Sequence, residues 1–222
     1  MRPCVILDAE TTGLYVEQDH ELWELGAIRR DGSSRAEHLW RVPPDLTYAD
    51  PAALEVNRYH ERTQTTGFRR GDLGHPESAE AHDLAGLDTT SPMWWSAPEP
   101  LARTLTQLLD DVTIVAANPT FDAGFLTAFL EQYGPARAPW HYRLRDIGSL
   151  AYGYLSGRPE CARPGPADGC WPGGRAIPPL DASTDDFAIA LGVDPEGFLR
   201  HSALGDCLLA EAMLDVITGS RP

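Results

Sequence analysis

The run Cys4-Val5-Ile6-Leu7 passes without a break into Asp8-Ala9-Glu10-Thr11-Thr12-Gly13-Leu14. Four aliphatic or thiol side chains in a row, with no polar residue among them, describe a strand covered on both faces. Its polar end needs a reason. Side chains alternate along a strand, which puts Asp8 and Glu10 on one face, two rises or roughly 7 Å apart. Carboxylates held that way repel unless they are protonated or bridged by a cation, and hard divalent ions take oxygen ligands of this kind. Taken alone, Asp-x-Glu also describes a strand ending at the surface, with Thr11 to Gly13 as an ordinary turn. The two readings separate on whether further carboxylates lie downstream on elements able to reach the same spot.

A chain of 222 residues is long enough for one domain with a full core, and a single domain over 1–222 is expected. No apolar run is long enough to cross a bilayer, and MRPCVILDAE enters the first strand without a signal-peptide pattern, so a soluble, cytoplasmic protein is expected. Cys4 and Cys207 lie in apolar patterns where a reduced thiol behaves as a small hydrophobe. Cys161 and Cys170 lie in a Pro/Gly-rich stretch. They fit a disulfide or half a zinc site, but read more simply as two unrelated loop thiols. The formal charge is -15, and all 18 basic residues are arginine. An acidic chain does not draw polyanions from a distance, which argues against a passive nucleic-acid coat. It leaves room for an enzyme that meets phosphate through bound metal ions and a few local arginines.

Along the chain, Glu21–Arg30 and Arg35–Val42 read as a second and third strand joined by an Asp31-Gly32 hairpin turn. Pro51–Tyr59 reads as a short helix. From Gly67 to Ser96 periodicity is lost and a long surface excursion is expected, whose Met93-Trp94-Trp95 island fits base stacking but reads more simply as the pin that holds the loop to the body. Leu101, Leu105, Leu108 and Leu109 have helical spacing, and Val112–Ala117 reads as a short buried strand.

Asn118-Pro119 opens a helix on which Asp122, Phe125, Leu126, Phe129 and Tyr133 share a face, so a carboxylate points at the core. Trp140–Arg145 reads as a strand, with Asp146 capping a helix to about Leu155. Gly157–Pro179 is a second Pro/Gly-rich loop, and Leu180 to Val193 reads as a helix ending near Gly192. The last helix starts at Ser202 and runs to about Thr218, with Asp206, Ala210, Met213 and Ile217 on one face. A second carboxylate thus sits in an apolar stripe, with His201 just outside its helix. By themselves, Asp122 and Asp206 also fit acidic residues paired with a helix dipole, and His201 fits an exposed loop histidine.

Asp8, Glu10, Asp122 and Asp206, with a histidine five positions before the last, resemble the DEDDh class of 3'→5' exonucleases, the group of the proofreading epsilon subunit and RNase T. The matching pieces are DAETTGL, ELGAI, ALEVN, NPTFDAGFL and HSALGD, in the family's order and spread over almost the whole chain. The resemblance implies an α/β, RNase H-like fold, in which three antiparallel strands continue into parallel strands packed by helices. The loops at 67–96 and 157–179 depart from compact members and bear on the substrate's approach. The implied activity is hydrolysis of phosphodiester bonds at the 3' end of single-stranded DNA or RNA, releasing nucleoside 5'-monophosphates.

Asp8, Glu10, Asp122 and Asp206 would hold two divalent cations, Mg2+ or Mn2+, with His201 as general base. By the same resemblance Thr11, Thr12 and Leu14 contact the terminal nucleotide, with Asn57, Tyr59 and Phe125 as further candidates. Tyr59 either stacks on a base or belongs to the core, and core is the simpler reading of Phe125. The expected partner is a single-stranded 3' end and not a membrane. A chain of this length carries no polymerase of its own, so any polymerase partner would be separate.

Two rivals differ in class. A phosphatase of the haloacid dehalogenase kind would use Asp8 as a nucleophile, but that chemistry characteristically needs a lysine and this chain has none. A catalytically silent RNase H-like binding module would normally have lost a metal carboxylate, whereas all five key residues are present. Arg143, Arg145, Arg158, Arg163 and Arg175 fit either a local phosphate track or scattered surface charge.

Overall fold

The computed structural model describes residues 2–63, 96–135, 137–157 and 177–220. Its centre is β1 (Cys4–Thr11), the apolar run that opens the chain. β2 (Leu22–Asp31) pairs antiparallel with it and β3 (Ser34–Arg41) antiparallel with β2, across the Asp31-Gly32 turn. On its other side β1 takes β4 (Thr113–Ala116) in parallel, and β4 takes β5 (Arg145–Asp146) in parallel. The order β3-β2-β1-β4-β5 makes a mixed, RNase H-like sheet flanked by helices.

Alternation along β1 sorts its side chains into two cores. Val5, Leu7 and Ala9 face one layer, built from α3 (Pro98–Leu108) and α4 (Pro119–Tyr133). Ile6 faces the other, built from α5 (Ile147–Ser156), α6 (Thr184–Leu191) and α7 (Ala203–Thr218). The helix starts follow local chemistry. Asp146 caps α5 by accepting from Ser149 N–H, and Ser183 and Asp186 form a reciprocal capping box on α6. Ser202 caps α7 by accepting from Gly205 N–H at 3.2 Å. No helix among the described residues is long and apolar enough to cross a membrane.

Three expectations need correction. The strand expected over Trp140–Arg145 is only the two residues Arg145 and Asp146. Trp140 and Leu144 do pack on the core, but Tyr142 between them is 75% exposed, so the segment crosses the sheet edge as a loop. The helix expected over Pro51–Tyr59 is two: α1 (Pro51–Val56) and α2 (Tyr59–Thr63), broken where Arg58 turns to a left-handed φ of 54°. α6 begins at Thr184, because Ser183 caps it there and Leu180 is left exposed.

The insertions expected over 67–96 and 157–179 lie outside the described residues except at their edges. With them go Met93-Trp94-Trp95, Cys161, Cys170, Arg158, Arg163 and Arg175. At one edge, Ser96 N–H donates to Arg41 C=O at 2.7 Å.

Candidate active site

The C-terminal end of β1 is roofed by the start of α7, and one glycine explains how close the roof comes. Gly26 of β2 lies opposite Asp8, and a Cβ at Gly26 would stand 2.4 Å from the backbone of Ala203. Any side chain there would push α7 away, which is the physical content of the glycine in ELGAI. The close approach brings Asp206, in the first turn of α7, down onto the face of β1 that carries Asp8 and Glu10. Among the described residues, carboxylate oxygens of Asp8, Glu10 and Asp206 all lie within 4.8 Å of one another.

Asp122 stands behind this trio and is not part of it. It is buried near the start of α4, and its carboxyl accepts a hydrogen bond from Ala9 N–H of β1. Its charge still reaches the site. Burial, followed by the charges of Asp122 and Glu10, pushes the Asp8 carboxyl well above the usual range. Burial raises Glu10 to about 7, opposed by Arg62, and raises Asp122 to about 7 against its bond from Ala9. Carboxylates this crowded stay ionised together only if positive charge joins them. An all-oxygen donor set in this state fits a hard divalent ion such as Mg2+ or Mn2+, held by Asp8, Glu10 and Asp206, with Asp122 adding charge from behind.

His201 immediately precedes Ser202, the cap of α7. Its side chain is exposed, and its N–H donates to Asp206 Oδ2 at 3.1 Å. The imidazole therefore extends from a backbone fastened to one of the trio. Arg200, one residue earlier, forms an ion pair with Asp206 and a second with Asp185 at 2.8 Å. It supplies part of the cationic charge the cluster calls for.

The residues expected to meet substrate divide by exposure. Thr11 and Thr12 are buried and spent on the turn itself: Thr11 Oγ1 donates to Gly13 C=O at 2.6 Å, and Thr12 Oγ1 accepts from Glu21 N–H at 2.8 Å. Thr12 C=O accepts from Asp50 N–H at 2.7 Å. Leu14 is 59% exposed, and among the three residues expected to meet the nucleotide from this turn it is the one that offers side-chain surface. Asn57 is buried and donates from Nδ2 to Thr11 C=O at 2.9 Å, tying the α1–α2 corner to the strand end.

Tyr59 is buried edge-on against Trp23, with ring centroids 4.9 Å apart, so it is a core residue and has no free face for a base. Phe125 is buried too, against Phe121, and lines a small recess with His20, Leu22 and Phe129.

Three charged residues at the site escaped the sequence reading: Glu24, Arg62 and Arg200. Glu24 lies opposite Glu10 in the β1–β2 register and is fully buried. It accepts from Arg41 Nε at 2.7 Å, from Ala203 N–H at 3.1 Å and from Arg62. A glutamate between Trp23 and Leu25, in the apolar stretch from Leu22 to Ile28 that makes up most of the strand, was the available signal. Nothing local pointed to its arginine partners.

The decisive comparison is of folds. The architecture is similar to that of exonuclease I. A zinc-bound complex of Escherichia coli exonuclease I with single-stranded DNA superposes with a TM-score of 0.62 at 17% identity, covering 100% of this chain and 41% of that one. The same enzyme with a dA16 oligonucleotide gives 0.59 at 16% identity, covering 100% and 42%. A product-bound exonuclease I gives 0.58 at 17% identity, covering 99% and 44%. The chain thus spans about two fifths of the length of the exonuclease I chains it matches. No protein-family model and no curated protein matches the sequence.

Proposed function

We propose that this chain is a divalent-metal-dependent 3'→5' exonuclease of the DEDDh class. It would remove nucleoside 5'-monophosphates from single-stranded DNA, with RNA as the substrate to compare. The observation that carries this reading is the convergence of Asp8, Glu10 and Asp206 within 4.8 Å of one another at the end of the central strand, with His201 fastened beside them. Its spacing from Asp206 supports the DEDDh class. Single-stranded DNA comes first because the exonuclease I neighbours are described as complexes with single-stranded DNA and with dA16. We read residues 1–222 as one catalytic domain.

Two Mg2+ or Mn2+ ions held by Asp8, Glu10 and Asp206 would supply an activated water and neutralise charge on the scissile phosphodiester. The chain's own residues do the rest. Asp8, Glu10 and Asp206 present their oxygens from a rigid strand and a rigid helix, so little reorganisation accompanies the reaction. Asp122 contributes negative charge from behind. His201, free on its solvent side, receives the proton of the attacking water at an imidazole nitrogen and releases it to solvent. Leu14 packs against the terminal base at the mouth, on the turn shaped by Thr11 and Thr12.

The test is degradation of end-labelled single-stranded DNA and RNA of equal sequence, with Mg2+, Mn2+ or chelator, beside Asp8→Ala and His201→Ala. Metal-dependent shortening from the 3' end that needs both residues is expected. A well-folded protein inert on both polymers in every metal would leave the silent binding module as the better reading.

A further inference from the structure

His201 has a backbone φ of 57°, the left-handed region, which residues with a Cβ adopt uncommonly. Both polar groups of its backbone are held. The N–H donates to Asp206 Oδ2 at 3.1 Å, and the carbonyl accepts from Arg62 Nη1 at 3.1 Å. Arg62 comes from α2, 139 positions earlier, and only 14% of its side chain is exposed.

The same guanidinium donates to Asn57 C=O at 3.3 Å and to Glu24 Oε1, and lies over the Trp23 ring with 4.9 Å to the centroid. Glu24 also accepts the N–H of Ala203. The Glu24–Arg62 pair therefore grips the chain at 201 and again at 203. Asn57, in the same corner, reaches Thr11 at the end of β1.

We propose that Arg62, seated on Glu24, is a positioning residue for His201. It fixes the peptide after His201, and with it the direction from which the imidazole meets the attacking water. Through Asn57 it ties that direction to the strand end where the 3'-terminal nucleotide enters. Its catalytic half rests on the reading of His201 as general base.

Three acceptors around one planar fork need a guanidinium, so lysine is a poor substitute. Arg41 is an internal control. It neutralises Glu24 equally directly, at 2.7 Å, and among the described residues makes no hydrogen bond or ion pair with the His201 loop.

The experiment compares Arg62→Met, Arg62→Lys and Arg41→Met in wild-type and His201→Ala backgrounds, alongside amide hydrogen exchange of the metal-free proteins. Arg62→Met is expected to lower kcat on a single-stranded oligonucleotide about 10- to 100-fold with KM changed by less than about threefold. Arg62→Lys should recover only part of the loss. Arg41→Met should lower kcat by less than about threefold at a comparable loss of thermal stability.

In the His201→Ala background Arg62→Met should cost no more than about threefold, the share its charge lends to Glu10, because the rest of its effect acts through the missing side chain. Exchange at residues 201–203 should quicken in Arg62→Met and not in Arg41→Met. Unchanged exchange at 201–203 in Arg62→Met overturns the tether, whatever the activity. Multiplying losses in the double variant overturn the positioning role. A wild-type protein inert on every polymer overturns the catalytic half together with the exonuclease reading, while quickened exchange would still establish the tether.

Discussion

Helix α7 holds two nearly buried carboxylates against the same sheet, little more than one turn apart, and surrounds them in opposite ways. Glu211 faces Arg35, which donates from Nε at 2.9 and 3.1 Å and from Nη2 at 2.6 Å, a bidentate fork. Arg30 lies 4.0 Å from Glu211 and bonds Asp215 at 2.6 Å. Its hydrogen bonds to Glu211 hold Arg35 even more firmly protonated than usual. At Asp206 the balance is reversed. Asp8 and Glu10 meet Asp206 at the first turn of α7, Asp122 adds its charge to theirs, Arg200 and Arg62 are partial compensation, and the carboxyls of Asp8, Glu10 and Asp122 are all pushed up. One end of the helix is matched in charge and fastens it to the sheet. The other is left short of cations, which is the condition for binding one.

The contrast can be broken most forcefully at Asp8. Asp8→Asn should lower the rate of nucleotide release at least about 10^3-fold while leaving the metal-free fold as stable as before or more so, because it removes a charge the site does not neutralise. Glu211→Gln should do the reverse. Removing one partner of a largely buried pair, part of whose arginine is in solvent, costs about 2–3 kcal/mol of stability with nuclease activity kept within a few-fold. Urea unfolding beside a steady-state assay separates the two.

Acidity sharpens the comparison further. Unfolded, Glu10 and Asp122 have ordinary pKa values of 4.5 and 3.8; folded, both hold a proton to about 7. Between those limits the folded state binds more protons, so the stability is full at the acid end and is lost as pH rises toward 7. Melting in chelator should therefore fall between pH 5 and pH 8, and saturating Mn2+ at pH 8 should restore at least about 5 °C. Glu211→Gln should lower the whole curve without changing that slope. The smallest effect belongs to the mouth. Leu14→Ala should raise KM for a single-stranded oligonucleotide a few-fold and change stability by less than about 0.5 kcal/mol.

The parts of this arrangement visible in the sequence are those written in local pattern. β1, β2 and β3 follow from runs of apolar residues and an Asp-Gly turn. Asp122 and Asp206 stood out because each interrupts an apolar helical stripe, where a charge needs a reason. Trp140–Arg145 misled because its apolar residues look like a strand, while Tyr142 is in fact turned to solvent and only two residues reach β4. The cations were invisible for a different reason. Arg62 meets Glu24 across 38 positions and His201 across 139, and Arg35 meets Glu211 across 176. Such pairs are set by how α2 and α7 pack on the sheet, and no spacing along the chain encodes them. Tyr59 shows the converse. An aromatic beside a candidate site reads equally well as a stacking platform or as core, and only the edge contact with Trp23 decides.

The claim on which everything else depends is that the first turn of α7, only partly compensated by arginine, is a divalent-cation site. Its most direct test is Mn2+ binding at pH 8, followed by the loss of the free-ion electron paramagnetic resonance signal, for the unaltered protein, Asp206→Asn and Glu211→Gln. Saturable binding in the unaltered protein and in Glu211→Gln, abolished in Asp206→Asn, is the result expected. Equal binding in all three, or none in any, would contradict it.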